Sequence, residues 1–201
     1  MMKKTLLAAA ALCALTSGAA MAQNYPQDGK WMVRARAVHL DSANKDSTGL
    51  DLSVNNKMIP ELDISYFFTP NFAAELILTY PQKHDVRAGG AKIGSLKHLP
   101  PTLLAQYHFT NLGAFKPYLG AGINYTRFSS VDILGGALNV KKNSFGPALQ
   151  VGFDYALDKN WSLNLDVKKV QIKTDVRSFG NKVGSFKADP LLVGVGVGYR
   201  F

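Results

Sequence analysis

Four histidines are the side chains of this chain best suited to proton transfer or metal binding. A hydrolase built on a serine nucleophile needs serine, histidine and carboxylate grouped together, whereas these histidines fall on different predicted strands or loops with no evident partners. No two of them have the spacing of zinc ligands. We therefore expect no enzyme activity, no metal site and no cofactor. The histidines are His39, His84, His98 and His108.

Cysteine chemistry is excluded as well, because Cys13 is the only cysteine and lies in a predicted secretory leader. The leader carries Lys3 and Lys4, an apolar run over residues 6–15, and the small-x-small cleavage site at residues 20–22. That apolar run is too short to span a bilayer as a helix, which needs about 20 residues. We predict a cleaved signal peptide over residues 1–22 and a single domain over residues 23–201.

Charged residues recur at alternate positions of otherwise apolar segments, which places them on one face of each strand. Eight segments of the chain alternate in this way, and the interior of an eight-stranded barrel is narrow enough to be filled by side chains. Opposite charges enclosed there must pair, because an unpaired buried charge is costly. We predict an ion-pair plug in the periplasmic half, which either only stabilises the barrel or also diverts cargo sideways. The predicted plug residues are Arg34, Arg36, Glu61, Asp63, Glu75, His108, Asp154 and Arg200.

The segments that carry these charges have the period-two pattern of β-strands. The C-terminal segment is the clearest, since apolar side chains from Leu191 to Phe201 alternate with Leu192, glycines and Arg200. An apolar outer face over a small or polar inner face is typical of a transmembrane barrel. Eight segments show the pattern: 31–37, 61–68, 72–80, 99–109, 119–126, 149–155, 161–168 and 191–201.

Short turns and long polar links alternate between the predicted strands, as they do in outer-membrane barrels. A soluble lipocalin-like barrel would have the apolar face inside, whereas here the apolar face is the continuous one. Aromatic residues cluster at both strand ends, Phe128 among them on the loop side. We predict an all-β, eight-stranded antiparallel transmembrane β-barrel in the outer membrane of a Gram-negative bacterium, with both termini in the periplasm. The turns are 69–71, 111–113 and 158–160, and the links are 42–57, 85–97, 129–143 and 176–187.

The chain is basic, with a formal net charge of +9 that falls to +7 once Lys3 and Lys4 leave with the leader. An exported basic protein meets anionic lipid head groups or anionic solutes rather than nucleic acid. We expect the loops to bind phosphates of lipopolysaccharide, although ordinary solvated loop charge explains the pattern equally. The loop cations are Lys83, Arg87, Lys92, Lys97, Lys168, Lys169, Lys173, Arg177, Lys182 and Lys187.

The inward face above the plug is predicted to line a channel. Its inward glycines either leave room for a ligand or permit the close packing of a narrow barrel. Pro100 and Pro101 lack backbone donors, so strand pairing should fail there, either as a lateral gap or as the point where the strand becomes a loop. The predicted lining is Ile77, Leu104, Gly120, Gly122 and Leu192, with Met58, Gly194 and Gly196 as further candidates.

Several of these segments resemble the signature sequences of the OmpW family of small outer-membrane proteins. The resemblance implies an eight-stranded, monomeric barrel with a narrow apolar channel for small hydrophobic molecules. The channel is closed toward the periplasm, so that cargo leaves sideways into the membrane. The matching segments are His98–Tyr107, Lys116–Thr126, Gln150–Tyr155, Asp189–Pro190 and Gly198–Phe201.

We therefore expect passive, porin-like passage of small hydrophobic solutes from outside, with lateral release near Pro100 and Pro101. The alternative is a structural or receptor barrel whose lumen is filled and whose loops carry the interactions. A lipid A-modifying enzyme is a third, weaker reading. Further expected partners are outer-membrane lipid and, through the C-terminal strand ending in Phe201, the outer-membrane insertion machinery.

Overall fold

The structure, a computed structural model, describes residues 29–201, and most of that backbone is β-strand. The predicted leader and its cleavage site lie outside the described residues. Within 29–201 no helix is long and apolar enough to cross a membrane. The strands are β1 (Trp31–Asp41), β2 (Lys45–Asp46), β3 (Leu52–Val54), β4 (Lys57–Phe67), β5 (Phe72–Leu78), β6 (Gln82–Ala88), β7 (Ala91–Leu99), β8 (Thr102–His108), β9 (Phe115–Ile133), β10 (Leu138–Val140), β11 (Asn143–Ala156), β12 (Trp161–Val170), β13 (Lys173–Ser178), β14 (Asn181–Lys187) and β15 (Leu191–Arg200).

Eight of these strands form one closed antiparallel barrel. Their order around the wall is β11-β12-β15-β1-β4-β5-β8-β9, and pairing of β9 with β11 closes it. A closed wall satisfies the backbone groups of every strand, which is the requirement for crossing a bilayer with strands. The predicted eight-stranded barrel is confirmed.

Strand β15 shows how the period-two pattern builds the wall. Val195 is 56% exposed on the outer face, whereas Leu192 and Arg200 are buried on the inner face. In the ladder with β1, Gly198 lies opposite Arg34 and Gly196 opposite Arg36. The small inner residues of β15 therefore leave space beside two long cationic side chains.

The barrel has two unlike ends. At the turn end, short turns join β4 to β5, β8 to β9 and β11 to β12. The C-terminal residue Phe201 is paired with β1 at this end, because Trp31 and Phe201 exchange backbone hydrogen bonds of 3.0 and 2.8 Å. The other end, where the long links lie, is called the loop end below.

The long links at the loop end are largely strands rather than the polar loops predicted from sequence. Strands β6 and β7 form a hairpin, β3 adds to β6, and the far end of β9 pairs with β7. On the opposite side β10 pairs with β13, and the β13–β14 hairpin is continued by β2. Strands such as β13 and β14 are short and rich in polar residues, and they acquire partners only in three dimensions. We call this part, β2, β3, β6, β7, β10, β13, β14 and the far end of β9, the extension.

Aromatic side chains surround the outside of the turn end. Trp31 packs against Tyr66 at 4.8 Å between ring centroids, and Trp161 packs against Tyr199 at 4.9 Å. Such belts are typical of the membrane interface. Phe128 does not belong to the loop-side belt in which the sequence placed it, because its side chain is buried inside the extension.

The interior divides into two layers. Buried apolar side chains fill the loop-end half and the extension in one cluster that includes Leu40, Ile77 and Leu104. Buried polar and charged side chains fill the half toward the turn end, with a small cluster of Met32, Phe67 and Ala73 beneath them. The interior is thus apolar toward the loop end and charged toward the turn end.

Candidate functional site

Arg34 on β1 is the centre of the charged layer and is fully buried. Its Nε and Nη2 donate to the two carboxylate oxygens of Asp154 at 3.0 and 2.8 Å. Its Nη1 lies 3.2 Å from Asp63 Oδ1 and 2.9 Å from Ser65 Oγ. Two-point guanidinium–carboxylate pairing is the strong form of this interaction.

Arg36, two residues along the same face, binds the next set of acids. Its Nη1 lies 2.9 Å from both Glu61 Oε1 and Asp63 Oδ2, and its Nη2 lies 3.0 Å from Glu75 Oε1. The ladder explains part of this, since Glu61 faces Arg36 and Asp63 faces Arg34 across β1 and β4. Asp63 and Glu75 therefore lie between two arginines.

Lys168 on β12 also belongs to this network, which the sequence analysis missed. Its Nζ lies 2.5 Å from Glu61 Oε1 and 2.7 Å from Asp166 Oδ1, and the side chain is 2% exposed. Lys168 was predicted as a loop-end cation for lipopolysaccharide, and that placement is wrong. Lys168 lies two residues after Asp166 on β12 and therefore faces the same side of the strand. This spacing could have placed Lys168 inside the barrel.

Neutral side chains complete the network and were also missed. Tyr118 donates to Asp166 at 2.9 Å, and Gln150 bridges Glu75 and Asp166 with two bonds of 2.8 Å. Asn164 accepts from Arg36 at 2.7 Å and donates to Asp154 at 2.9 Å. We call the whole set, Arg34, Arg36, Glu61, Asp63, Glu75, Tyr118, Gln150, Asp154, Asn164, Asp166 and Lys168, the plug.

Two predicted plug residues lie at its edge, toward the turn end. Arg200 places its guanidinium 3.6 Å from the centroid of the Phe67 ring, and its Nε donates to Gly29 O at 2.6 Å. His108 Nε2 lies 3.0 Å from Gln106 Oε1, with its ring 5.0 Å from Tyr118. Both side chains are buried on the inner face, as the parity argument required.

An apolar cavity runs from the extension down to the plug in two compartments. The outer compartment lies within the extension, and the inner one lies between it and the plug. Leu40, His98, Ile172 and Pro190 line both, so the two compartments are adjacent and these side chains lie between them. The inner compartment ends on Glu61 and Lys168, which are members of the plug.

The predicted channel-lining residues are distributed unevenly. Ile77 and Leu192 line the inner compartment, and Leu104 is buried in the apolar cluster. Met58 is excluded from the lining, since it is 58% exposed on the outer face. The remaining four candidates are all glycines.

The inward glycines accommodate neighbours rather than a ligand. A Cβ on Gly120 would come within 2.5 Å of Gln150 Oε1, and one on Gly122 would meet the backbone of Leu103 and Leu104. The lining role predicted for Gly120 and Gly122 is therefore corrected. Gly196 likewise lies against the backbone of β1, and Gly194 against the side chain of Arg36. Close packing is the alternative that the geometry supports.

The wall beside the inner compartment is interrupted at prolines. The ladder between β5 and β8 ends at Ile77 and Thr102, and the ladder between β6 and β7 begins at Gln82 and His98. Residues 79–81 and 100–101 lie between these ladders, and Thr79 and Pro100 line the inner compartment. We call residues 79–81 with 100–101 the proline gap, after Pro81, Pro100 and Pro101.

Strand pairing at Pro100 and Pro101 is missing on only one side of the chain. Toward β9, Tyr125 N donates to Pro101 O at 3.0 Å, and the Asn124 side chain reaches the carbonyls of Pro100 and Pro101 at 3.2 Å each. Toward the β5–β6 connection, the Gln82 side chain donates to Tyr80 O at 3.0 Å. Side chains therefore satisfy carbonyls where the strand ladder is missing. Pro81 was not identified from the sequence.

A closed barrel with an apolar outer band, a belt of interfacial aromatics and a buried charged plug defines a small outer-membrane β-barrel protein. Comparison with known proteins specifies it further. The model of the OmpW family matches residues 27–201, and the chain belongs to this family. Its location is the outer membrane.

Relatives and solved structures agree with this assignment. An uncharacterised outer-membrane protein of Sinorhizobium fredii is 48% identical over 182 residues, covering 85% of this chain and 80% of that protein. Outer membrane protein W of Vibrio cholerae is 34% identical over 220 residues, covering all of both. The crystal structure of OprG from Pseudomonas aeruginosa matches with a TM-score of 0.74 at 27% identity, covering 90% of this chain and 98% of that one.

Proposed function

We propose that this barrel lets small apolar molecules enter at the loop end and leave sideways into the outer membrane through the proline gap. The observation that carries the proposal is the pair of adjacent apolar compartments, of which the inner one ends on the plug and lies against the gap. Entry from the loop end requires that this end faces the outside of the cell and that both chain ends face the periplasm.

The energetics favour a lateral exit over a straight one. To pass the plug, an apolar solute would have to separate ion pairs such as Arg34–Asp154 and leave buried charges without partners, which costs several kcal/mol. The bilayer beside the proline gap is instead the solvent that such a molecule prefers. A missing stretch of ladder is tolerated at membrane depth where it borders a cavity.

One relative adds support for apolar cargo. A protein of Pseudomonas sp. that is 28% identical over 176 residues is named dibenzothiophene metabolism operon protein DoxH. Dibenzothiophene is an apolar aromatic molecule. The name concerns that relative, and we extend it to this chain only as the class of solute to test first.

Blocking the inner compartment tests whether the cavity is the route. Leu192→Trp places an indole in that compartment, whereas Val193→Trp, on the adjacent outer face, is the matched control. We expect uptake of radiolabelled naphthalene by cells to fall to the barrel-free rate with Leu192→Trp and to stay at the wild-type rate with Val193→Trp. Wild-type uptake by folded Leu192→Trp would contradict the proposed route.

The double variant Pro100→Val, Pro101→Val tests the exit. It restores two backbone donors beside the gap and should slow release into the membrane. Pro147→Val is the control, because Pro147 lies in a paired part of the wall, opposite Ile123. Unchanged uptake in a correctly folded double variant would place the exit elsewhere.

A receptor or structural role for the loops remains the second candidate. Lys169 and Lys173 are exposed at the loop end, and Lys92 and Lys182 form exposed ion pairs of 2.8 Å with Asp85 and Asp175. These cations support a contact with lipopolysaccharide phosphates. Monomeric assembly, the lack of enzyme activity and recognition of the strand ending in Phe201 by the insertion machinery stay predictions.

A further inference from the structure

The β6–β7 hairpin carries three buried polar side chains, of which the two histidines line the apolar compartments. Gln82 and His84 lie on β6 and His98 on β7, and all three are almost completely buried. Gln82 and His98 are opposite each other in the ladder. The rings of His84 and His98 meet edge to face, with centroids 4.7 Å apart. Because His98 lines both compartments and His84 the outer one, this group lies where the compartments join.

Each member has one polar atom without a hydrogen-bond partner among the described residues. These atoms are Gln82 Oε1, His84 Nε2 and His98 Nε2. The other ends of Gln82 and His84 are used: the Gln82 amide donates to Thr79 and Tyr80, and His84 Nδ1 lies 3.0 Å from Asn55 O. A buried polar group without a partner costs free energy, so such groups are rare unless something binds them.

The existing bonds decide what kind of partner is missing. A backbone carbonyl only accepts, so His84 Nδ1 carries the proton in its bond to Asn55, and Nε2 of the neutral ring is an acceptor. Gln82 Oε1 is an acceptor too. His98 Nε2 accepts or donates according to its tautomer. At least two of the three free atoms therefore call for a donor.

Both rings are neutral at physiological pH. The hairpin belongs to the extension and not to the eight strands of the barrel wall. Burial, with smaller contributions from His84 and Lys57, lowers the pKa of His98 to about 3. Burial also lowers the pKa of His84, with Lys57 acting in the same direction and the Asn55 carbonyl and Asp85 opposing it. Neutral acceptors in an apolar wall disfavour an anion, which would find no donor on Gln82 or His84.

We propose that Gln82, His84 and His98 form a hydrogen-bonding site for the hydroxyl group of an otherwise apolar molecule, an alcohol or a phenol. The proposal rests on the proposed function and names its substrate class. The apolar part of the molecule lies against residues such as Val86, Leu96 and Phe128, which surround the site, while its O–H donates to the free acceptors. Hydroxylated solutes are then bound more tightly than the parent hydrocarbons.

A matched pair of probes tests this on the purified full-length barrel in lipid nanodiscs. 2-Naphthol and naphthalene differ by one hydroxyl, and the fluorescence of each reports binding. After correction for partition into protein-free nanodiscs, we expect 2-naphthol to bind about tenfold more tightly, the contribution of one neutral hydrogen bond. Equal affinities for the wild-type protein would overturn the proposal.

Variants assign the preference to the site. The double variant His84→Phe, His98→Phe keeps two rings and removes the polar atoms, and should bring the affinity ratio close to one. His39→Phe is the control, because His39 lies exposed on the outer face of β1. A preference for 2-naphthol that survives in the double variant would refute the assignment.

A second measurement is independent of folding of the variants. The ¹⁵N shifts of the His84 and His98 rings in the wild-type protein should change with 2-naphthol and not with naphthalene, and unchanged shifts would overturn the proposal. The outcome is separable from that of the proposed function. Uptake without a hydroxyl preference would contradict only the hydroxyl site. A hydroxyl preference in binding without uptake would contradict only the transport route.

Discussion

Arg34 and Asp154 form a two-point ion pair across the lumen, with bonds of 3.0 and 2.8 Å between groups that are 120 residues apart in sequence. Their strands, β1 and β11, are not neighbours, because β15 and β12 lie between them in the wall. The pair therefore crosses the lumen between strands that lie three positions apart in the wall. It lies in the path that ions or water would take along the lumen.

Arg34→Leu should destabilise the barrel by about 3–5 kcal/mol, since it leaves Asp63 and Asp154 buried without this partner. Urea unfolding from lipid vesicles measures the change. Ala35→Leu, on the outer face of the same strand, is the control and should change stability little. The double variant Arg34→Leu, Asp154→Leu should recover much of the loss, and a near-zero effect of Arg34→Leu alone would contradict the role of the plug.

Lys168→Met and Lys169→Met form a matched pair on adjacent positions of β12. The first removes the partner of Glu61 and Asp166 and should cost about 3 kcal/mol or more in unfolding free energy. The second alters an exposed side chain and should stay within about 0.5 kcal/mol. Binding of lipopolysaccharide should weaken only for Lys169→Met. A loss of stability for Lys169→Met alone, with weaker lipopolysaccharide binding for Lys168→Met alone, would contradict the buried position of Lys168.

Acidification should weaken the barrel through His98. Its pKa is about 3 in the folded protein, below its ordinary value near 6.5, so the unfolded chain binds the proton first. Stability contributed by neutral His98 is therefore full above pH 7 and is lost as the pH falls through 6.5 toward 3. Between pH 7 and pH 5 the loss is about 2 kcal/mol, and His98→Phe should lack it. Equal pH dependence of the two proteins would contradict the buried, neutral state.

The orientation in the membrane can be tested with single cysteines, because residues 23–201 contain none. Phe179 is 90% exposed at the tip of the β13–β14 hairpin, and Lys159 is exposed in the turn between β11 and β12. A membrane-impermeant maleimide should label Phe179→Cys on intact cells and Lys159→Cys only after the outer membrane is opened. Labelling of Lys159→Cys on intact cells would reverse the orientation.

The sequence by itself determined the barrel and the face of the side chains within the eight predicted strands. Alternation in segments such as 191–201, with three short turns, was enough for eight strands, because the side-chain period of a strand is two wherever it lies in the wall. The same parity identified Arg34, Arg36, Glu61, Asp63, Glu75 and Asp154 as inward.

Only the tertiary structure decided which inward residues meet. Parity carries no information on the stagger of eight strands, and that stagger brings Lys168 to Glu61 and Arg34 to Asp154. It also fills the space beside Gly120 with Gln150, and pairs the short strands of the extension. The proline gap arises in the same way, because Pro81 and Pro100 are nineteen positions apart in the chain, and only ladders on both sides place them at one level. Such contacts depend on long-range register, which the local pattern of a strand does not encode.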